Sequence, residues 1–272
     1  MPNNDFDLIV TGAGIVGMST ALYAQKDGLK TVICDPALPG SGTTYGSACT
    51  IATYACIPVN SPSIFMSLPH LLTSRDSPLS FNLWHGLKNP RWMLSFLNNC
   101  RPSRVKHISQ ALGQFLAHAD EGIDPLIAEA QAQDLIVRND CLYVWSSRSG
   151  YEGAKDGNAV RASHGVKFDE LTPHDVRQLE PNLQQPIHRG LRFKGARHIT
   201  NPQELVRRMQ RRFEALGGVY MPHSVDHCRA DNTGVTACFS DGTQIRGGRL
   251  ALTAGAHSGQ LRGTGAEHLP LG

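Results

Sequence analysis

A chain of 272 residues, 40% hydrophobic and 18% charged, can bury one large core or two modest ones and has the balance of an ordinary globular protein. A formal charge of +3, with no basic run interleaved with aromatics, gives no ground for a nucleic-acid partner, and nothing approaches the roughly 18 uninterrupted apolar residues of a spanning helix. The seven cysteines form no Cys-x-x-Cys pair and no secretory signal precedes Asp5, so they read as reduced thiols in a cytosolic setting.

The first element is a short apolar run, Asp7–Thr11, that meets glycines at once and reads as a buried parallel strand. A helix is predicted from Ile15 to about Lys26, stopped by Gly28. Lys30–Asp35 reads as a second buried strand ended by Pro36, which completes a βαβ unit. Residues 36–62, rich in Gly, Ser, Thr and Pro, read as an extended loop region, and Pro69, Pro78 and Pro90 limit any helices after it to short ones. From Ser103 to about Gln133 the spacing of Ile108, Leu112, Phe115, Leu116, Ile123, Leu126 and Ile127 predicts amphipathic helix, bent or divided at Asp124-Pro125.

Cys141–Trp145, Gly190–Phe193 and Val235–Phe239 read as strands, the last leading through Ser240-Asp241-Gly242 into a hairpin arm at Thr243–Arg246. Before that hairpin lies the clearest helix. Asn201 caps it, Pro202 opens it, Glu204 reaches back toward the cap, Leu205, Met209, Phe213 and Leu216 form its apolar stripe, and Gly217-Gly218 ends it. Arg207, Arg208, Arg211 and Arg212 fall off that stripe and read as a solvated face. Gly248–Ala254 is again strand-like. The sheet begun at Asp7 is therefore interrupted by a long insertion, whereas a nicotinamide-binding domain would keep alternating strand and helix. The fold class is α/β: an FAD-type Rossmann domain with a parallel sheet and an inserted α+β substrate domain. Its parts are residues 1–62 (FAD-binding, first part), 63–200 (mainly substrate domain) and 201–272 (FAD-binding, second part, with a β-hairpin).

Three motifs carry the chemistry. In Gly12-Ala13-Gly14-Ile15-Val16-Gly17, Gly12 permits a tight turn, Gly14 lets backbone approach a pyrophosphate, and Gly17 allows close packing of helix on strand. With 27 glycines in the chain the pattern alone is weak; its place between strand and helix, with Asp35 closing the next strand, makes it specific. An acid there suits a ribose diol and repels a 2′-phosphate. Ser41–Ala48, including Thr43, Thr44, Ser47 and Ala48, suits a loop lying along pyrophosphate and flavin. Thr253–Ser258, with Ala254 and Gly255, places small residues at the carboxyl end of a parallel strand, the usual ligand crevice. His223, His227 and Cys228 lack a fourth ligand, so no metal is expected. Cys49 reads as a packed thiol rather than a reactive one, and nothing in the sequence gives His257 a partner.

The stretch DLIVTGAGIVGMSTALYAQKDGLKTVICD resembles the N-terminal fingerprint of the D-amino-acid oxidase superfamily of FAD enzymes. SGTTYGSACTIATYACIPVNSPS resembles the flavin loop of its bacterial D-amino-acid dehydrogenase branch, and CLYVW, ELTPHDVRQLEPNL, GARHITNPQELVRRM and LALTAGAHSGQL follow in the order that family shows them. The resemblance implies FAD as cofactor, held by Gly12, Ala13, Gly14, Ile15, Val16 and Gly17, with Asp35 on the adenosine ribose. It further implies Thr43, Thr44, Ser47 and Ala48 along the flavin loop, Val225 meeting the adenine through its backbone, and Ala254 and Gly255 beside the cofactor. Ser47 and Cys49 stand where that family commonly has Asn and Gly, and His257 where it commonly has Trp.

The implied activity is oxidation of D-amino acids or related small amines by hydride transfer to flavin, with hydrolysis of the resulting imine and no obligatory protein base. Electrons would pass to a quinone-type or respiratory acceptor, in a cytoplasmic protein or one held peripherally on the inner membrane. The alternatives are a secondary-amine oxidase of the sarcosine, glycine or proline type, and a non-catalytic fragment with weak FAD affinity. Members of that family continue well beyond the Leu269–Gly272 position, so residues 1–272 alone are expected not to turn over substrate.

Overall fold

In the computed structural model of the chain, residues 4–60, 62 and 89–268 are described. They form two compact units, one of residues up to 50, 121–137 and from 198 onward, the other of residues 51–120 and 138–197. The expected breaks at Pro69 and Pro78 lie outside the described residues.

The first unit is built on a six-stranded sheet. Its spatial order is Val225–Asp231, Gly234–Phe239, Gln244–Leu252, Phe6–Thr11, Thr31–Cys34, Val219–Met221. Phe6–Thr11 pairs in parallel with strands on both sides, Val10 lying opposite both Ile33 and Ala251. Ile9, Val10, Val32 and Ile33 are wholly buried, as the unbroken apolar runs require of strands covered on both faces. The helix Ile15–Lys26 buries Gly17, Met18, Ala21, Leu22 and Ala24. It ends where Gly28 turns to φ +85° and Leu29 N–H bonds back to the Ala24 carbonyl.

Two expectations change here. The hairpin arm and the resumed strand are one strand, Gln244–Leu252, antiparallel to Gly234–Phe239 and parallel to Phe6–Thr11. Gly247 does not interrupt it; a Cβ there would stand 2.7 Å from Ile9 Cγ1, so the missing side chain is what lets Ile9 seat. Val219–Met221 was not read from sequence, because a three-residue strand carries no periodicity. Its pairing of Val32 with Val219 completes a second parallel crossover.

The long amphipathic stretch is two helices, Pro102–Ala117 and Ala119–Glu129, parted at His118 rather than at Asp124-Pro125. His118 leaves helical geometry (φ −100°, ψ 6°) with its N–H on the Phe115 carbonyl, a tightened last turn. Pro125 stays inside the second helix, where Tyr23 Oη donates to the Gly122 carbonyl (2.7 Å) and so supplies a side-chain partner next to the bond a proline removes.

The helix Pro202–Ala215 is capped by Asn201, whose Oδ1 accepts the Glu204 N–H (2.9 Å). Glu204 itself does not reach back to the cap: its carboxylate accepts from Arg208 Nε (3.2 Å) and Arg211 Nη2 (2.8 Å). Nor are the arginines a solvated face. Arg208 also holds Asp134 and the Gln131 carbonyl, Arg212 holds Glu129, and only Arg211 of the four is exposed. Three carboxylates close to the helix draw the guanidinium groups into pairs that spacing alone does not reveal.

The second unit centres on an antiparallel sheet ordered Cys141–Trp145, Arg189–Phe193, Phe168–Leu171. Its core is aromatic: Phe193 stacks on Tyr54 (ring centres 4.9 Å) and meets Tyr143 (5.0 Å) and Phe168 (5.6 Å) edge-on. Helices Arg148–Ser163 and Pro173–Leu179 escaped the sequence reading. The first carries Gly150, Gly153 and Gly157 and buries only Tyr151 and Asn158, so its pattern is faint. The second opens with a full capping box, Thr172 with Asp175, a signal that was legible.

Candidate dinucleotide site

The glycine turn joins Phe6–Thr11 to the helix Ile15–Lys26. Gly12 takes φ +97°, and a Cβ there would lie 2.7 Å from the Thr253 carbonyl oxygen and 2.8 Å from Ala254 Cα. A Cβ on Gly17 would overlap the Gly12 carbonyl oxygen. Gly17 is therefore packed against the turn itself, a tighter constraint than helix on strand. Gly14 differs: a Cβ there would meet only Thr44 Oγ1, at 3.5 Å. Two of the three glycines are filled in by protein, and the third faces open space.

Asp35 lies at the end of the second strand and turns back on the glycines. Its Oδ2 accepts the Ala13 N–H (2.7 Å) and its Oδ1 the Ala37 N–H (2.8 Å). An ionised carboxylate has about four acceptor positions, so two remain for another donor such as a ribose hydroxyl. Of the helix N-terminus, Ile15 N–H donates to Thr44 Oγ1 (3.1 Å), and no acidic residue stands in the first turn. The free N–H groups and dipole at that end suit an anion. Thr43, Ser47 and Ala48 are exposed, and Thr44 is half-buried. Val16, Leu38 and Tyr45 leave apolar side chains in solvent within these same segments. Such exposure beside an anion cradle fits a flat aromatic ligand with a phosphate linker.

Ala254 closes over the turn, and Gly255 follows it at φ +57°. Val225 opens the outermost strand, opposite Phe239, and packs on the cluster that contains Ile9, Val32 and Cys34. His257 is exposed. His227 Nδ1 lies 3.0 Å from Asp226 Oδ2, and no group of three metal-binding side chains occurs among the described residues. Cys34, Cys49, Cys56, Cys100, Cys141, Cys228 and Cys238 are all free thiols. Cys49 is half-buried, its Sγ 3.0 Å from the Ser47 carbonyl.

Two residues outside the sequence-derived set hold the site together. Thr253 Oγ1 donates to the Thr11 carbonyl (2.7 Å) and lies 3.1 Å from that of Gly12, which ties the resumed strand to the glycine turn. Tyr220 Oη donates to the Ala37 carbonyl (2.7 Å) and lies 3.1 Å from that of Asp35, which fixes the residues around the acid. Burial, and then the Asp35 charge, pushes the Tyr220 phenol up and keeps it a donor. Thr253 began a motif that sequence reading singled out; Tyr220 lay in the strand it missed.

A family model described as DAO, FAD dependent oxidoreductase, matches residues 7–271. A D-amino-acid oxidase of Bradyrhizobium diazoefficiens is 26% identical over 265 residues, 96% of this chain and 63% of that protein. A D-amino acid dehydrogenase of Azorhizobium caulinodans is 27% identical over 192 residues, 69% of this chain and 46% of that protein. Among solved structures, glycine oxidase from Geobacillus kaustophilus superposes with a TM-score of 0.64 at 14% identity, over 94% of this chain and 57% of that one. That likeness is one of fold. The chain thus spans less than two thirds of the length of these relatives.

Proposed function

This chain belongs to the DAO family of FAD dependent oxidoreductases, and from that premise we propose that it forms the nucleotide-binding part of an enzyme oxidising D-amino acids or related small amines, with a quinone-type electron acceptor. The observation that carries the cofactor reading is the pairing of an open Gly14 with an Asp35 carboxylate bonded to the Ala13 N–H. Gly12 and Gly17 shape the turn; Gly14 and Val16 present backbone N–H groups to the pyrophosphate, and Ile15, its N–H held by Thr44 Oγ1, lies between them. Asp35 orients the adenosine ribose, Thr43, Thr44, Ser47 and Ala48 run beside the phosphate and flavin, Val225 meets the adenine through its backbone, and Ala254 and Gly255 flank the cofactor. The flavin, when bound, supplies the two-electron acceptor for the carbon–hydrogen bond beside the amine. The part of this chain in the chemistry is positioning: a rigid glycine turn fixes the nucleotide end, so the reacting atoms are held rather than searched for.

The substrate reading is supported by the names of the two matched relatives, an oxidase and a dehydrogenase of D-amino acids. Release of the chromophore by denaturation should yield FAD; a nicotinamide dinucleotide would overturn the cofactor assignment. A panel of D-amino acids, sarcosine, glycine and proline analogues with a dye acceptor reads substrate and acceptor together. Turnover confined to secondary amines would replace the substrate, and turnover with oxygen but with no dye or quinone would replace the acceptor.

A further inference from the structure

In the second unit the helix Arg148–Ser163 packs on the antiparallel sheet and leaves a cleft of about 440 Å³ beside its first two turns. The helix lines that cleft with Arg148, Tyr151, Glu152 and Lys155, whose i, i+3, i+4, i+7 spacing puts them on one face. Across from them stand Glu170, His188 and Arg189. Glu170 lies opposite Leu191, and Leu191 and Arg189 share a face of their strand, so the acid and the arginine project to the same side of the sheet. Tyr151 forms the floor. It is buried, its ring edge-on to Trp145 (ring centres 5.6 Å) and His188 (6.2 Å), with Lys155 Nζ 5.6 Å from its centre.

Not all of the cations around this floor are paired. Lys155 holds Glu152 (2.7 Å). Neither Arg148 nor Arg189 makes an ion pair or a side-chain hydrogen bond among the described residues, although Arg189 is half-buried. A larger cleft in the first unit, about 800 Å³, gives the contrast: its Arg208, Arg211 and Arg212 are all committed, to Asp134, Glu204 and Glu129. In the smaller cleft burial first, and then Glu170, push the Tyr151 phenol up while Arg189 acts against them, so both charges stand close to the hydroxyl and it stays a donor. Two guanidinium forks and a phenol offer donors to several oxygens at once, which suits a tetrahedral oxyanion. The Glu170 carboxylate narrows the choice. It repels an oxyanion without a proton, such as sulfate, and accepts from one that keeps a hydroxyl. At neutral pH free phosphate keeps one, whereas a phosphate monoester, with a second pKa of about 6, has mostly lost it.

We propose that this cleft is a binding site for inorganic phosphate, with Arg148 and Arg189 on its charged oxygens and Glu170 accepting from its P–OH group. Attraction and rejection come from different residues: the arginines hold any oxyanion, and the acid sorts those that carry a proton from those that do not. The start of the helix adds to the attraction, since Arg148 and Tyr151 stand at its positive end. Sequence spacing hid the site, because Arg148 and Arg189 meet only when a helix with a faint pattern folds onto the sheet. The inference does not rest on the flavin reading, and all of its residues belong to the second unit.

The test is calorimetric titration of the chain with inorganic phosphate, methyl phosphate and sulfate, near neutral pH and at constant ionic strength. The natural chain is compared with Arg148→Gln, Arg189→Gln, Glu170→Gln and Gly14→Val, and thermal melting checks the fold of each. Arg148 is exposed at the helix start, so its variant keeps the test decisive even if Arg189→Gln folds poorly. The natural chain should bind one phosphate, and methyl phosphate and sulfate more weakly. Each arginine variant should weaken phosphate by about tenfold or more, as loss of a hydrogen bond to a charged group implies. Glu170→Gln should raise sulfate toward the affinity of phosphate. Gly14→Val, which closes the glycine turn to phosphates, should bind phosphate as the natural chain does. Loss of binding in Gly14→Val with retention in the folded arginine variants would put the anion at the glycine turn and overturn the proposal. So would no binding at millimolar phosphate, or sulfate or methyl phosphate held by the natural chain as tightly as phosphate.

Discussion

Around Gly12 the structure is set by side chains that are missing, and around Phe193 by some of the largest ones present. In the first unit, buried parallel strands bring the backbone of Gly12, Gly17 and Thr253 so close that a single methyl group has no place. In the second, an antiparallel sheet fills its core with Tyr54, Tyr143, Phe168 and Phe193, whose rings meet by stacking and edge contacts. The first arrangement tolerates almost no change of residue type but demands little volume. The second demands volume and accepts many residues that supply it. A ligand-binding turn needs the first kind of constraint, because a nucleotide can approach the backbone only where side chains are absent.

The sharpest way to break this comparison is inside the glycine turn itself. Gly17→Ala should unfold or severely destabilise the first unit, by about 3 kcal/mol or more, because the new methyl overlaps a backbone oxygen that cannot move without opening the turn. Gly14→Val should leave the melting temperature close to that of the natural protein, since its Cβ meets only Thr44 Oγ1 at 3.5 Å, yet abolish flavin retention. Melting curves and flavin occupancy, measured on both variants, separate the structural glycine from the ligand-facing one. If both lost stability equally, Gly14 would be a packing glycine like Gly17.

Alkaline pH probes the same contrast more gently. Burial pushes the Cys34 thiol up to about 12, with smaller contributions from Cys228 and Asp35, and burial then Cys238 push Cys228 up to about 11. A thiol raised in the folded state favours folding fully below its unfolded value near 9 and loses that contribution as pH rises through the folded value. Urea unfolding between pH 8 and 11 should therefore show the first unit weakening by up to ~1.4 kcal/mol per pH unit for each such thiol. Cys34→Ala should flatten the slope by one thiol's share. In the second unit burial raises the Cys56 and Cys100 thiols and the Tyr54 and Tyr151 phenols, so its alkaline weakening should also begin near pH 9 but survive removal of Cys34. An unchanged slope in Cys34→Ala would show that this thiol ionises as freely folded as unfolded.

This division also explains what the sequence disclosed. The glycine turn, Asp35, the Asn201 cap and the resumed strand were legible because each needs a particular residue type: no side chain, an acid, a short polar acceptor, an unbroken apolar run. Val219–Met221 and the Arg148–Ser163 helix were not, since one is too short for periodicity and the other is thinned by three glycines and a single buried aromatic. The break at His118 was misplaced to Pro125 because Tyr23, a hundred residues away in sequence, supports the helix beside the proline. Pairing of Arg208 and Arg212 with Asp134 and Glu129 was hidden for the same reason: the partners come from a different stretch of chain. Thr253 was visible only as a member of its motif; that its hydroxyl fastens the turn is a fact of tertiary structure.

The smallest expected effect lies where a non-glycine residue adopts a glycine's backbone. Cys49 sits at φ +62°, its N–H near Ser47 Oγ (3.3 Å) and its carbonyl accepting from Ile199 N–H (2.8 Å), so the left-handed geometry is held from both sides. A side chain in that region costs about 1–2 kcal/mol against Cβ crowding. Glycine removes the crowding but adds about 0.5–1 kcal/mol of entropy lost from the unfolded chain. Cys49→Gly should therefore raise stability by roughly 0.5–1 kcal/mol, measurable as a shift of the urea midpoint at unchanged slope. Cys49→Ala keeps the strain while losing the Sγ contact with the Ser47 carbonyl, and should be neutral or slightly destabilising. Gln131, at φ +50° just past the Ala119–Glu129 helix, gives a control with no tie to the flavin loop: Gln131→Gly should gain by a similar amount. A gain at Gln131 with a loss at Cys49 would show that the thiol contact outweighs the strain, and that the loop is held by its side chain rather than in spite of it.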